Sequence, residues 1–387
     1  MITLFWICIF LVFYAYLGYA LVLYLLVKIK ESILGKKQAN PDYLPSVSLI
    51  VPCFNEDGYV LEKVRNSKAL QYPKDKLQLI FISDGSDDQT AAMLSKVSDI
   101  LHLHDPERRG KAAAMNKAVG FAQNEILVFC DANTELNPEA LLAMMPFYEN
   151  PKTGGVSGEK KIKTTDKTGA SSAGEGIYWK YESFLKSYDA RLYSIVGAAG
   201  ELMSYRKSLY TELEPDTLLD DFTQSMRIAA RGYSIQYTKN AVATETASAN
   251  VKEELKRKIR ICAGGWQSMT RLWKVLIPWP YPLLTFCYIS HRVLRWSLAA
   301  FALPIILLLN IYLVLSGESI WYTLMLMAQV IFYALSFLGW YLENKDARIK
   351  ALYIPYYFLI MNIAVFFGLN RYIKGSQSAL WERAKRA

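Results

Sequence analysis

Four stretches of this chain, Ile2 to Val27, Trp296 to Leu315, Ser319 to Leu342 and Ala351 to Asn370, contain no Asp, Glu, Lys or Arg. Each is close to the ~20 residues that a helix needs to cross about 30 Å of hydrocarbon, where only helices and closed barrels satisfy their own backbone. The chain is therefore expected to be a multi-pass integral membrane protein. The first stretch does not read as a cleaved leader: it has no basic residue before it, its apolar run is too long, and no small-residue cleavage site follows. Lys28, Lys30, Lys36 and Lys37 come just after it. Basic flanks stay on the cytoplasmic side, so the N-terminus is placed outside and the chain after residue 28 inside. Three later spans would then leave the tail outside, although it carries Arg371, Lys374, Arg383, Lys385 and Arg386. Either Ala351–Asn370 is re-entrant or interfacial, or Lys274–Ser290, with Pro278, Pro280 and Pro282, supplies a further crossing.

Composition agrees with a membrane protein. Hydrophobic residues make up 52% of 387 and charged residues only 20%, which excludes a disordered chain and argues against a purely soluble one. The formal charge of +9 is largely that of the membrane flanks. Anionic lipid headgroups are its natural counterpart; no basic stripe interleaved with stacking aromatics points to nucleic acid. Cys8, Cys53, Cys130, Cys262 and Cys287 are dispersed without a CxxC pair, which reads as reduced thiols in a cytosolic domain. His102 and His104 fall on one strand face, but no further ligand lies nearby to make a metal site.

Between the apolar stretches, residues 45 to about 270 alternate buried-strand and helix patterns. Val47–Pro52, Leu77–Ser83, Ile100–His104 and Glu125–Cys130 read as strands; Val60–Lys68, Thr90–Val97, Ala112–Ala122 and Pro138–Phe147 read as helices. This alternation builds an α/β domain on a parallel sheet, whose ligands bind beyond the carboxyl ends of the strands. The first strand runs into Cys53-Phe54-Asn55-Glu56-Asp57, the second into Asp84-Gly85-Ser86-Asp87-Asp88 and the fourth into Asp131-Ala132-Asn133-Thr134. Any one of these acids could simply cap a helix, as Asp87 or Asp88 would for the Thr90 helix. Three acidic ends on one rim repel unless a cation or ligand compensates them. Arg108-Arg109-Gly110-Lys111 opens the next helix, without the spacing of a Walker A loop, and no GxGxxG follows the first strand.

Taken together, VSLIVPCFNE at 47–56, ISDGSDD at 82–88, RRGKAAAMNKA at 108–118, FCDANTELNPEAL at 129–141, VGAAGELMSYRK at 196–207, LLDDFTQSMRIAARGY at 218–233 and RKIRICAGGWQ at 257–267 resemble the family 2 glycosyltransferases. The likeness is to the membrane-embedded branch that includes cellulose, hyaluronan and poly-N-acetylglucosamine synthases. It implies an inverting enzyme with a GT-A, Rossmann-like nucleotide-diphospho-sugar transferase fold at 41–270, an N-terminal anchor at 1–40, and interfacial and transmembrane helices with a basic tail at 271–387. It further implies that Pro52, Glu56, Asp84 and Lys111 bind the donor nucleotide, a UDP-sugar by analogy. Asp131 joins them and opens a DxD-type element that ligates Mg²⁺ or Mn²⁺. Here the third position is Asn133, whose amide oxygen can ligate a hard cation but brings no charge.

The resemblance assigns the general base to the Asp220-Asp221 pair, with Asp221 taking the proton of the acceptor hydroxyl and Asp220 supporting it. The QxxRW element of processive synthases falls on Arg257-Lys258-Ile259-Arg260-Ile261, where only Arg260 is kept. Arg257 and Arg260 are read as leaving-group stabilisers. The missing tryptophan tilts the reading to a lipid-linked or membrane-proximal saccharide acceptor and away from a processive polysaccharide synthase. A reading from another class, a scaffold that binds nucleotide-sugars without turnover, stays open. Trp266, Trp273 and Trp279 are read as interfacial anchors. The location implied is the plasma (inner) membrane, with the domain cytoplasmic.

Overall fold

The computed structural model describes residues 1–35, 40–163, 169–246, 251–343 and 350–380. The expected strands are present as β1 (Val47–Cys53), β2 (Leu77–Asp84), β3 (Leu101–Asp105) and β4 (Ile126–Cys130), with β1 parallel to β2 and β4 and β2 parallel to β3. Alternate residues separate cleanly onto two buried layers. Leu49, Val51, Phe81, Val128 and Cys130 pack with Val60 and Val64 on one face, and Ile50, Ile80, Ile82, Leu127 and Phe129 pack with Met115 and Ala118 on the other. A strand covered on both faces must be apolar throughout, so these four are legible as continuous runs.

The remaining half of the sheet is not all parallel, which corrects the expectation. With β5 (Glu135–Leu136), β6 (Thr153–Lys163), β7 (Leu202–Arg206) and β8 (Ser234–Thr246), the order is β3-β2-β1-β4-β7-β6-β8-β5. β7 is antiparallel to both β4 and β6, and β8 is parallel to β6. The strand β6 escapes a pattern search because it carries Gly154, Gly155 and Gly158. A Cβ there would lie 2.5 Å from Ile228, 2.7 Å from the Ser204 carbonyl and 2.7 Å from the Ala241 carbonyl, respectively, so close packing selects glycine over a strand former. Because Leu202 of β7 pairs with Cys130 of β4, the loop before β7 arrives at the same rim as the acidic strand ends.

Helix Val60–Lys68 matches its expected bounds, and helix Lys111–Phe121 starts one residue early. The stretch read as one helix over Pro138–Phe147 is an α-helix at Ala140–Met144 followed by a 3₁₀ turn, where Pro146 interrupts the ladder.

Four helices are long and apolar enough to cross a membrane: Ile2–Leu34, Leu298–Leu315, Ile320–Leu342 and Ala351–Ile373. Their outward faces carry large exposed apolar side chains such as Phe10, Leu308, Leu315 and Trp321, an apolar belt suited to lipid. Lys30 does more than flank the first of them. Its ammonium donates to the carbonyls of Arg191 and Leu192 at the C-terminus of the Gly169–Leu192 helix, and Glu31 receives the Arg191 guanidinium in bidentate fashion at 2.7 Å. Lys36 and Lys37 lie outside the described residues.

The last apolar helix is packed on the sheet domain along its length. Ala351–Ile373 lies alongside the Val251–Arg271 helix of the sheet domain: Tyr357 donates to Glu254 at 3.4 Å, Tyr372 and Thr270 share a hydrogen bond at 2.9 Å, and Gly368 lets Cys262 come close. Beyond it, Leu380 rests on Gly110, so Arg371 and Lys374 finish on the sheet-domain side. Within Lys274–Ser290 a 3₁₀ turn precedes a helix that starts at Pro282 and runs on through a π-helical stretch, Ile289–Val293, to Trp296, shorter than the ~20 residues a span needs. Arg383, Lys385 and Arg386 lie outside the described residues. Trp273 and Trp279 are exposed, whereas Trp266 packs against the domain core.

Candidate active site

At the end of β2, Asp84 is buried, and its two oxygens accept the backbone N–H groups of Arg109 (2.8 Å) and Gly110 (2.7 Å). Gly85 allows this approach, since a Cβ there would lie 2.3 Å from the Arg108 nitrogen, and its φ of +58° suits glycine. Asp84 thus fixes the start of the helix that carries Lys111. The β1 and β2 loops are also tied together. Asn55 and Asp87 exchange hydrogen bonds at 2.5 and 3.0 Å, and Asp88 accepts from Thr90 N–H (2.8 Å) and Asp57 N–H (3.1 Å), while Gln89 rather than either aspartate occupies the N-cap of the Thr90–Leu94 helix. Glu56 is buried beside them with its N–H on Thr90, and Pro52 stands opposite Ile82 one residue before β1 ends. The Arg108 guanidinium lies 3.7 Å from the Phe54 ring centroid.

At the end of β4, buried Lys63 pins the Asp131–Thr134 turn by donating to the Thr134 carbonyl (2.8 Å) and to Cys130 Sγ (2.9 Å). Lys111 Nζ donates to Asp131 Oδ1 at 2.8 Å and lies 3.4 Å from Asp220 Oδ2. Asp220 and Asp221 open the Asp220–Ala229 helix. Gly200, in the loop before β7, is where a Cβ would lie 3.2 Å from Asp221 Oδ2 and 3.6 Å from Lys111 Nζ. Arg260 feels all three carboxylates, Asp220, Asp221 and Asp131, and lines a small pocket with Lys111, Asp220 and Ala379 of the tail. Lys111, Asp131, Asp220–Asp221 and Arg260, far apart in sequence, therefore meet in one cleft.

Arg257, one turn before Arg260, pairs with Glu254 of its own helix at 3.0 Å and with Glu245 of β8 at 3.6 Å. Burial works against the Lys111 charge, but Asp131 and Asp220 more than offset it and hold the ammonium well above the ordinary lysine range. Burial, with the neighbouring Asp220 carboxylate, pushes Asp221 from the ordinary 3.8 up to about 6 against the pull of Lys111.

Asp131 and Asn133 put two oxygen side chains on one turn. Among the described residues no group of three His, Cys, Asp or Glu side chains forms a metal cluster, and the Lys111 ammonium is the cation against Asp131. A hard divalent ion fits such a turn when diphosphate and water complete its shell, the usual arrangement for Mg²⁺. His102 and His104 are bridged by Ser83 Oγ at 3.1 and 2.8 Å, and all five cysteines are buried free thiols.

On its other side Asp221 borders a cavity of about 640 Å³ that runs past Ala199, Glu201 and Trp179 to Tyr16, Phe358 and Asn362 of the apolar helices. Tyr16 donates to Asn362 at 2.6 Å, joining the first and last of those helices at the cavity wall. Sequence reasoning missed Trp179, Glu182, Lys186 and Glu201. Glu201 stands within the quoted 196–207 stretch, and buried Lys160 holds its carboxyl well below the ordinary range at 2.5 Å, overcoming burial. The others stand on one helix, where polar residues at 182, 186 and 189 recur at helical spacing among aromatics; that stripe was the available signal.

Comparison with known proteins agrees with this geometry. Residues 48–213 match the model of Glycosyl transferase family 2. The poly-beta-1,6-N-acetyl-D-glucosamine synthase of Staphylococcus aureus (strain MSSA476) is 27% identical over 255 residues, 63% of this chain and 60% of the synthase. That of Staphylococcus epidermidis is 25% identical over 277 residues, 64% of this chain and 65% of the synthase. The chain thus matches less than two thirds of the length of either. In fold it is similar to the mannosyltransferase PcManGT from Pyrobaculum calidifontis, solved in complex with GDP-Man and Mn2+. The TM-score is 0.72 at 21% identity, over 97% of this chain and 100% of that one.

Proposed function

Residues 48–213 are a family 2 glycosyltransferase domain, and from this premise we propose that the protein moves a sugar from a nucleotide diphosphate onto an acceptor held at the membrane, with inversion at the anomeric carbon. The position of Asp221 carries this reading. It stands between a cleft of acids and cations on one side and a cavity walled by apolar helices on the other, with its carboxyl poised at about 6.

The acceptor hydroxyl gives its proton to Asp221 as its oxygen attacks the anomeric carbon, and the diphosphate leaves from the opposite face. Lys111 and Arg260 neutralise charge on the departing group. Asp84, although bonded to two amides, keeps acceptor capacity toward ribose or base, because a carboxylate has about four lone-pair sites; Pro52 and Glu56 complete that wall. When bound, Mg²⁺ or Mn²⁺ held by Asp131 and Asn133 supplies further neutralisation of the diphosphate. The Mn2+ and GDP-Man of the Pyrobaculum calidifontis mannosyltransferase support such a donor site, and the resemblance favours uridine diphosphate as the carrier. Arg257, paired with Glu254 and Glu245, lines the cavity that Asp221 borders. The location proposed is the plasma membrane with the domain cytoplasmic, in keeping with Lys28 and Lys30 at the inner end of the first helix.

A second reading, elongation of a polysaccharide, is supported by the likeness to the staphylococcal synthases. A donor screen on the full-length protein in nanodiscs, with and without Mg²⁺ or Mn²⁺, tests both. Single additions to lipid-linked sugar support the first reading and long products the second. Nucleotide-sugar binding with no turnover under any condition would leave only a scaffold.

A further inference from the structure

The cavity that meets Asp221 holds a cation with no role in the mechanism above. Lys186 is 5% exposed, lines the cavity and lies 6.0 Å from the Trp179 ring centroid. Among the described residues it makes no ion pair or hydrogen bond, because its neighbours are engaged elsewhere. Glu182, one turn before it, is held by Arg292 at 2.9 Å and Arg295 at 2.8 Å; Asp189, one turn after it, is held by His291 at 2.5 Å and by Tyr19. Glu201 is taken by Lys160. Lys186 feels the Glu182, Glu201 and Asp221 carboxylates, but Glu182 and Glu201 are paired with other cations, and Arg292 Nε and Arg295 Nη2 are buried donors without a hydrogen-bond partner. Burial and the neighbouring Arg292 hold the Lys186 ammonium below its ordinary range. An isolated buried charge is costly, and an anion entering the cavity would relieve it. The far wall is apolar, formed by Leu17, Ile354, Phe358, Met361 and Val365.

Resting on the transfer reading above, we propose that the acceptor is a saccharide carried on a lipid phosphate. The phosphate lies against Lys186, Arg292 and Arg295, the hydrocarbon passes between the apolar helices, and the sugar hydroxyl faces Asp221. Lys186 is then the residue that separates this acceptor from a neutral glycan, which offers nothing to neutralise the cluster.

The test uses the full-length protein in nanodiscs with a turned-over nucleotide-sugar. It compares one sugar linked to a short isoprenoid through pyrophosphate with the same sugar as a neutral alkyl glycoside. The wild type should prefer the phosphate-linked acceptor by tenfold or more in kcat/KM. Lys186→Met should collapse that preference toward one, while Lys186→Arg keeps most of it. Without acceptor, Lys186→Met should melt higher than wild type, since a buried unneutralised charge is gone, and the pyrophosphate lipid should raise Tm in the wild type but not in the variant. Equal use of both acceptors by the wild type, or a preference that survives Lys186→Met, overturns the proposal. Inorganic pyrophosphate that shifts Tm as much as the lipid overturns its lipid part. If neither acceptor is glycosylated, the transfer reading fails, and the Tm comparison alone decides whether the anion site stands.

Discussion

The donor rim and the acceptor cavity share Asp221 but treat charge in opposite ways. On the rim Asp84 is held by two amides, Asp88 by the N–H groups of Thr90 and Asp57, and Asp131 with Asp220 by the Lys111 ammonium. In the cavity the compensation is incomplete, and buried donors on Arg292 and Arg295 remain alongside Lys186. A self-neutralised site can keep its geometry without ligand and exchange one internal partner for a charged substrate. A site left positive is completed by what enters it.

The largest effect expected on this contrast is from Asp221→Asn. Removing a general base typically costs about 10²–10⁴-fold, so labelled-sugar transfer should fall by that factor while UDP still protects the protein from thermal unfolding. Lys111→Met attacks the internal compensation. It leaves Asp131 and Asp220 facing each other, and breaking such a pair costs about 3–5 kcal/mol at neutral pH. A large fall in Tm is expected that Mg²⁺ partly restores; a variant as stable as wild type would mean that the rim does not depend on its lysine.

Asp84→Ala strands two amides and should cost about 1–3 kcal/mol, together with protection by UDP in a thermal-shift assay. The smallest effect is on pH. Transfer should rise through about pH 6, because Asp221 is protonated below that and cannot accept a proton. Asp220 and Glu201 raise this midpoint and Lys111 lowers it, so Asp220→Asn should move it down in a pH–rate profile.

The same contrast explains what could be read without coordinates. The rim is written in short contiguous words, strand then acid, because a doubly covered strand is apolar throughout and its ligands follow directly at its end. Asp84, Lys111, Asp131 and the Asp220–Asp221 pair were legible for that reason. Arg257 and Arg260, three residues apart on one helix, could not be told apart, since which face meets the cleft depends on how Val251–Arg271 packs. The cavity is assembled from the first apolar helix, the Gly169–Leu192 helix, the loop before β7, the Asp220–Ala229 and Val251–Arg271 helices, the helical stretch His291–Trp296 and the last helix. No local pattern marks such a place. Lys186 reads in sequence as one more helix-surface lysine, and only the packing of Arg292 and Arg295 onto Glu182 shows that it is buried without an ion pair of its own.

Whether the rim and the cavity form one working site is tested most directly by filling the cavity. In a Leu17→Trp, Met361→Trp double variant, both side chains line the wall away from the acids. Thermal protection by the donor nucleotide should persist, while sugar transfer in nanodiscs falls at least tenfold. Transfer at the wild-type rate through a filled cavity would show that the acceptor reaches Asp221 by another route, and would contradict the account.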